Sequence, residues 1–530
     1  MKLSLKFTRR ESHKAAVFTL TFFSYAFFHA NRKAFSNVKS STASVWTPEP
    51  RNESLPKLLP EKIWSSHHLF ETSDDAMKFE GVLDTAFMLA YAVGLFLNGY
   101  IGDRVNMRIL LSVGMASTGV LIFIFGCITE WVAFYNKYFY CSIWIINGLM
   151  QSTGWPVVVA CMGNWFGKSS RGMLLGIWSS CASVGNILGA VMVSSVLSYG
   201  YQYAFLMTST VILAGSCLVF FGLVPSPADV GMEGPDDDNE DSRKHSLNAD
   251  HDDARIKPIV EYKATSEHVY IITLPKNVVT PKGPLLEDAQ SAKPTEGDDT
   301  ITYDLQSTKP TSMPFWKACL LPGVIPYSLA YAFLKLVNYS FFFWLPYYLK
   351  NAFDWEESEA DKLSTAYDVA GIVGGIVVGF FSDRLGKRTI LILPMLLVSI
   401  PSLFGYSVSP NDRLVNTVLM SLIGFFIGGA ANLISAAVSA DLGSQRQIQG
   451  DDKALATVTG VIDGTGSLGA ALGQIAVPYL ETALGWSSVF YLFMICMFLT
   501  AVCLFPLFIK EIRSLRCPCG RRDSSLAVND

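Results

Sequence analysis

The chain has 530 residues, of which 50% are hydrophobic, 13% aromatic and only 16% charged. A soluble chain carries about 25% charged residues, so the polar surface needed to cover several water-soluble domains is missing and an apolar solvent has to cover the rest. A net charge of -4 gives no basic field for a nucleic-acid partner. Eight of the ten cysteines (Cys127, Cys141, Cys161, Cys181, Cys217, Cys319, Cys496 and Cys503) lie in apolar segments, where buried thiols are ordinary. No disulfide framework is expected. Cys517 and Cys519 follow the last apolar run as exposed thiols or acylation sites. The first apolar run has no small-residue cleavage site and ends at Arg32, so no cleavable signal peptide is expected.

A spanning helix needs about 20 mostly apolar residues. That ruler predicts spans near 15–37, 81–101, 109–128, 138–162, 172–198 and 203–224, then near 319–349, 364–382, 389–408, 415–440, 454–480 and 487–509. Alternate connecting segments are cationic: Arg9, Arg10 and Lys14; Arg104 and Arg108; Lys168 and Arg171; Arg384, Lys387 and Arg388; and Lys510 onward. The others carry few cations, and residues 350–362 are mainly acidic. The positive-inside rule then predicts both termini in the cytosol, which requires an even number of spans. Asn52-Glu53-Ser54 is a glycosylation acceptor in the first non-cytosolic loop, residues 40–80. Asn338-Tyr339-Ser340 fits the same pattern inside a span, out of a transferase's reach.

Residues 225–314 separate the two groups of six spans and hold Asp236-Asp237-Asp238, Glu240, Asp241, Asp252 and Asp253. So acidic and apolar-poor a stretch reads as a disordered cytosolic linker, and Val269-Tyr270-Ile271-Ile272 is too short for a domain. The expected organisation is an N-terminal half over 1–224, the linker over 225–314, a C-terminal half over 315–510 and a cytosolic tail over 511–530. The two halves repeat. Gly99–Arg108 follows the second span and Gly379–Arg388 the eighth, both with a G-x-x-x-D-R core. Ser183-Val184-Gly185-Asn186-Ile187-Leu188-Gly189 echoes Ser467-Leu468-Gly469-Ala470-Ala471-Leu472-Gly473. Spaced glycines let helices approach where lipid supplies no hydrophobic drive, and internal repeats of this kind mark secondary transporters.

The duplicated G-x-x-x-D-R-x-G-x-[KR] signal resembles the major facilitator superfamily. The stretch Gly154-Trp155-Pro156, Asn164 to Lys168, Arg171-Gly172 and Trp178 is similar to its organophosphate:phosphate antiporter branch, the sugar phosphate exchangers. The resemblance covers all twelve helices and fades in the linker and tail. It implies an all-α polytopic fold of two pseudo-symmetric six-helix halves, and a gate within each half held by Asp103 with Arg104 and by Asp383 with Arg384. Asn106 replaces the motif glycine in the first copy. Tyr91, Trp155, Trp178 and Asp368 match family positions in or near the cavity. The lysine one turn after the tyrosine in bacterial glycerol-phosphate carriers is Leu95 here, and their span-five histidine is Ala182.

The residues themselves point to an anion. A cation at the membrane centre costs about 2.5–3.5 kcal/mol on insertion scales, so a chain keeps one only beside water or a partner. Arg32 ends the run Ala15–Ala30, and Lys335 sits deep inside 327–344 with no neighbouring group able to neutralise it. Both belong to the first helix of their half, so pseudo-symmetry predicts that they converge on one cavity. Tyr25–His29 aligns with Tyr331–Lys335, which sets His29 against Lys335 and Arg32 against Asn338. Each half thus offers a pair three residues apart on one helix face. Arginine's fork suits two phosphate oxygens, while Lys335 is a point charge. The rival reading is that each cation snorkels to an interface; Lys33 and Lys39 follow Arg32 closely. Asp368 is expected either to pair with Lys335 until substrate arrives or to be a static partner, and Asp463 is a second intramembrane acid. Asn147, Gln151, Asn186 and Asn432 either donate to sugar hydroxyls or tie helices together.

No phosphate-binding P-loop occurs, and His67-His68 lacks further ligands nearby, so neither ATP chemistry, a metal nor a cofactor is expected. The leading expectation is a secondary transporter that exchanges a sugar-phosphate-class anion for inorganic phosphate, with Tyr25, Tyr91, Trp155 and Asn338 shaping the site around Arg32 and Lys335. The alternatives are proton-coupled or facilitative export of anionic phosphonates or carboxylates, with Asp368 or His29 carrying the proton, and a transport-vestigial scaffold or sensor. The expected partners are the anionic solute and the bilayer. A membrane accessory subunit leaves no mark in the sequence. An endomembrane location, ER or lysosome, follows from the glycosylation site and the family.

Overall fold

The computed structural model describes residues 8–47, 69–166, 171–232, 314–355, 357–443 and 455–516, and four strands between 261 and 306. Twelve long helices account for the described membrane body. They are α1 (Arg9–Trp46), α2 (Ser73–Gly102), α3 (Met107–Trp131), α4 (Lys137–Trp165), α5 (Ile177–Tyr199), α6 (Tyr201–Gly222), α7 (Val324–Phe353), α8 (Glu357–Leu385), α9 (Thr389–Ser407), α10 (Arg413–Leu442), α11 (Leu455–Leu484) and α12 (Trp486–Arg516). Each overlaps one predicted span. Eleven are long and apolar enough to cross a bilayer by composition. The twelfth, α1, has 38 residues, about 57 Å at 1.5 Å per residue, and misses that test because His29, Asn31, Arg32, Lys33 and Lys39 interrupt its apolar face.

Local signals set the helix ends. Thr8 and Glu11 form a reciprocal capping box at the start of α1, and Thr72, Asn106 and Asp412 cap α2, α3 and α10 through their side chains. The motif glycine of the second repeat, Gly386, lies at φ +61°, where a side chain would be strained. Asn106, its counterpart in the first repeat, sits at φ -65° and accepts from the Arg108 amide, so this turn needs no glycine.

The outer faces are apolar. Along α2, Val82, Leu89, Val93 and Leu97 are each 45–55% exposed. A stripe of that size in water invites aggregation; in a bilayer it is the lipid face. Inside, the two halves repeat one helix contact. A Cβ on Gly185 of α5 would meet the Ala26 carbonyl of α1, and a Cβ on Gly469 of α11 would meet the Ala332 carbonyl of α7. The alignment of His29 with Lys335 makes Ala26 and Ala332 equivalent, so the glycine echo marks the same packing in both halves.

Within the linker four short strands are described. Strands β1 (Glu261–Ser266), β2 (Val269–Pro275), β3 (Thr295–Glu296) and β4 (Thr300–Gln306) pair antiparallel in the order β1-β2-β4-β3. Val269 lies opposite Gln306 and Pro275 opposite Thr300. The run Val269-Tyr270-Ile271-Ile272 opens β2 and lies opposite Gln306 to Tyr303 of β4. The sheet and the helical body are separate compact units. Asn52, His67, His68, Cys517 and Cys519 lie outside the described residues.

Candidate functional site: a polar cavity at the centre of the helical body

A cavity of about 60 Å³ lies among α1, α4, α5, α7, α8, α10 and α11. On this measure one water needs roughly 10–15 Å³, so a hexose phosphate does not fit until one end opens. Tyr25, His29 and Lys33 line it from α1, Trp155 from α4, Asn186 from α5, Tyr331, Asn338 and Tyr339 from α7, Asp368 from α8, Asn432 and Ser435 from α10, and Asp463 from α11.

Arg32 and Lys335 are 3% and 1% exposed, so neither snorkels. They converge on the same two phenols. The Arg32 guanidinium carbon lies 4.3 Å from the centre of the Tyr91 ring and the Lys335 ammonium 5.6 Å from it. Tyr339 accepts from Arg32 at 3.4 Å, and its ring lies 4.9 Å from the Lys335 nitrogen. Cation–π contact is worth about 2 kcal/mol or more when desolvated, which offsets part of the burial cost. Tyr91 is fully buried between the cations, its hydroxyl 3.3 Å from that of Tyr25.

The two cations differ in their counter-charges. Lys335 donates to Asp463 Oδ1 at 2.6 Å and to Ser467 Oγ at 2.8 Å. This corrects the expectation that nothing neutralises it: the acid comes from α11, 128 residues away. Of the two readings of Asp368, the pairing with Lys335 is not the one found. Asp368 accepts from Asn186 at 2.7 Å and from Ser183, within the field of Lys33. Arg32 Nε donates to Gln151 at 2.7 Å, while one terminal nitrogen, Nη2, has no hydrogen-bond partner. Among the described residues no carboxylate lies within ion-pair reach of Arg32. A buried guanidinium without a counter-ion is a strong anion site.

His29 Nδ1 shares a 3.0 Å hydrogen bond with Asn186, and its Nε2 has no partner. Asn338 accepts from Tyr367 at 2.6 Å. Trp155 packs with its ring tilted 45° against Tyr25 at 4.5 Å and donates to the Ser435 carbonyl at 3.3 Å, where α10 takes a π-turn over Leu433–Val438 and frees that oxygen from the α-helical ladder. Trp178 departs from its expected place on the cavity wall. It stacks behind Trp155 at 5.4 Å, is fully buried, and donates to Thr21. Gln151 accepts from Arg32, Asn186 donates to Asp368, and Asn432 donates to the Gly371 carbonyl at 3.5 Å.

The body is held shut at both ends. At the motif end Asp103 of α2 accepts from the Ala456 amide at 3.1 Å, the Thr457 amide at 2.9 Å and the Thr457 hydroxyl at 2.6 Å. It therefore caps the first turn of α11, in the other half, rather than a contact within its own half. Arg104 folds back on Tyr100. In the second repeat Asp383 takes its ion pair from Arg388 at 2.8 Å, and Arg388 reaches on to Asp441 at 3.0 Å; Arg384 stacks over Phe380 instead. At the opposite end Lys39 pairs with Asp84 and lies 4.7 Å from the Trp344 ring of α7, while Lys33 donates to the Phe342 carbonyl at 3.1 Å. Lys33 and Lys39 are buried participants that sequence reasoning left at an interface. The available signals were Lys33 one turn after His29 and Asp84 inside the second span.

Two repeated six-helix halves enclosing a charged central cavity, closed at each end by contacts between halves, define a secondary transporter. The Major Facilitator Superfamily model matches residues 78–450, and the chain belongs to that superfamily. It is 51% identical over 503 residues to sugar phosphate exchanger 3 of Mus musculus, covering 95% of this chain and 94% of that protein. It is 35% identical over 521 residues to glucose-6-phosphate exchanger SLC37A2 of Xenopus laevis, covering 98% and 97%. The proton:xylose symporter XylE shares the fold at a TM-score of 0.60 and 12% identity, over 95% of this chain and 99% of that one.

Proposed function

We propose that the protein exchanges an organophosphate of the sugar phosphate class for inorganic phosphate by alternating access. The observation that carries this reading is the buried guanidinium of Arg32, without a carboxylate in reach and turned with Lys335 toward Tyr91 and Tyr339. Arg32 supplies the fork for two phosphoryl oxygens and Lys335 a second positive point. Tyr25, Trp155 and Asn338 shape the space for the organic part, and His29 and Asn186 offer further polar contacts. The names of the relatives, exchangers of sugar phosphate and of glucose 6-phosphate, support the substrate class.

Exchange follows from the charge. The empty cavity carries the excess positive charge of Arg32, which disfavours reorientation through a low-dielectric barrier; an occupying anion removes it. The excess is one charge rather than two, because Asp463 already balances Lys335. Asp103 and the Asp383–Arg388–Asp441 cluster act as the gate at the motif end, and the Lys39–Asp84–Trp344 cluster as the gate at the other. The cationic segments favour a cytosolic motif end and cytosolic termini, with Asn52 glycosylated on the luminal side of an ER or lysosomal membrane. Asn52→Gln should abolish a glycosidase-sensitive mobility shift.

The test is uptake of labelled phosphate into vesicles preloaded with glucose 6-phosphate, with inorganic phosphate, or with neither. Preloading should stimulate uptake, and Arg32→Lys, which keeps the charge but removes the fork, should lose most of it. Full exchange by Arg32→Ala would overturn the assignment.

A further inference from the structure

Lys33, Asp368 and Asp463 line the cavity, and Arg32 and Lys335 each touch a lining residue, Tyr339 and Asp463; Lys335 sits on Asp463, Lys33 acts on Asp368, and Arg32 is left over. A phosphate monoester above about pH 6 is a dianion. Arg32 balances one of its charges. The second has to be met by Lys335, whose ammonium is then shared between the ester and Asp463, so one buried carboxylate loses its counter-charge. A buried charge without a partner costs several kcal/mol, and a carboxylate escapes that cost by taking a proton.

Geometry selects which carboxylate. Asp463 is 2% exposed, lines the cavity and has one oxygen, Oδ2, without a hydrogen-bond partner. Its counter-ion is the one the substrate claims. Asp368 has hydrogen bonds from Asn186 and Ser183 in addition to the field of Lys33. The ionisable groups facing Asp463 are Lys335 and Tyr331 from α7, Tyr25 from α1 and Tyr91 from α2, with Arg32 behind Tyr91. From α10 and α4 the cavity receives Asn432, Ser435 and Trp155, which do not titrate here, and α12 contributes nothing to its wall.

We propose that Asp463 is the coupling carboxylate: it binds one proton when a dianionic phosphate ester enters the cavity and releases it when the ester leaves. On the loading side an O–H bond forms at Oδ2 with a proton from water, and on the far side the same bond breaks and the proton returns to water. No electron is transferred. The ester therefore crosses with a proton, and the loaded cavity is neutral.

The inference rests on the organophosphate reading, and one experiment separates the two. Full-length protein in lipid is titrated with glucose 6-phosphate at pH 8, where the ester itself carries no proton, and binding is followed by tryptophan fluorescence alongside difference infrared spectra. Glucose 6-phosphate has no carbonyl, so a new protonated-carboxyl stretch that shifts in heavy water reports the protein alone. The band should appear on binding in the wild type, persist in Asp368→Asn and be lost in Asp463→Asn. The wild-type spectrum and Asp368→Asn decide the matter even if Asp463→Asn does not fold. Binding without the band, or a band lost with Asp368→Asn, overturns the proposal and leaves the organophosphate reading standing. Absence of binding overturns both.

Discussion

Asp103→Ala tests how the motif end is held closed. The carboxylate satisfies two amides in the first turn of α11 and the Thr457 hydroxyl, and it is 8% exposed. Truncating a helix-capping side chain to alanine costs about 0.5–2 kcal/mol. The cost falls on the closed form, because in the open form water reaches the same amides. At about 1–2 kcal/mol the ratio of open to closed rises roughly 5- to 30-fold. Cys161, fully buried in α4 with its thiol 3.7 Å from Met107 Sδ, is a native reporter at this end. Its alkylation by a membrane-impermeant maleimide, read by mass spectrometry, should accelerate by that factor, and an unchanged rate refutes the latch. The pH dependence has a definite sign. Burial pushes the Asp103 pKa above its usual 3.8, outweighing the hydrogen bonds from Thr457 and Ala456. The closed form then holds the proton more tightly than the water-exposed open form. Acidification through the window above 3.8 favours closure, and loss of the proton as pH rises through the raised value removes that increment. Labelling relative to Asp103→Ala should slow in acid; acceleration would show that the charge itself is the latch.

Lys335→Ala strands Asp463 in the interior and should cost about 3–5 kcal/mol, seen as a fall in Tm in detergent. The double variant Lys335→Met/Asp463→Leu should regain most of that stability while losing exchange; a double variant as unstable as the single one would refute the pairing. Gly469→Val drives a branched side chain into the Ala332 carbonyl and should destabilise by about 1–3 kcal/mol, whereas a neutral result would mean that α7 and α11 can separate. Trp344→Ala removes the aromatic face over Lys39 and the 2.8 Å hydrogen bond to Gln474. It should raise accessibility from the end opposite Asp103, and equal labelling of wild type and variant would remove Trp344 from the gate.

Span positions were legible because a 20-residue apolar run is long against any loop between them, and the two glycine-spaced segments announced the α1–α5 and α7–α11 contacts. The depth of Arg32 and Lys335 was legible for the same reason. Their partners were not. Lys335 and Asp463 lie 128 residues apart, and hydropathy records that both are buried without recording that they touch. Lys33 and Lys39 looked like an interfacial cluster because charge density at the end of an apolar run has that look; α1 simply continues past them to Trp46. Arg388, the closing cation of the second motif copy, pairs with Asp383 and reaches on to Asp441, and the motif carries the first of these contacts but not the second.

The repeat itself explains where the chemistry gathers. Equivalent helices meet at equivalent glycines, yet the side chains beside those contacts differ. In the first half His29 meets Asn186, and the position matching Asp463 is Ser179, so the contact is neutral. In the second half the same place holds Lys335 against Asp463 and Ser467. One turn along, the charge is reversed between halves, with Arg32 in α1 and Asn338 in α7. Each half therefore contributes one deep cation, from a different position on its first helix, and both turn to Tyr91. A symmetric backbone supplies the rocking motion, and the broken symmetry of four side chains gives the cavity one cation that an anion can claim outright and one that it has to win from Asp463.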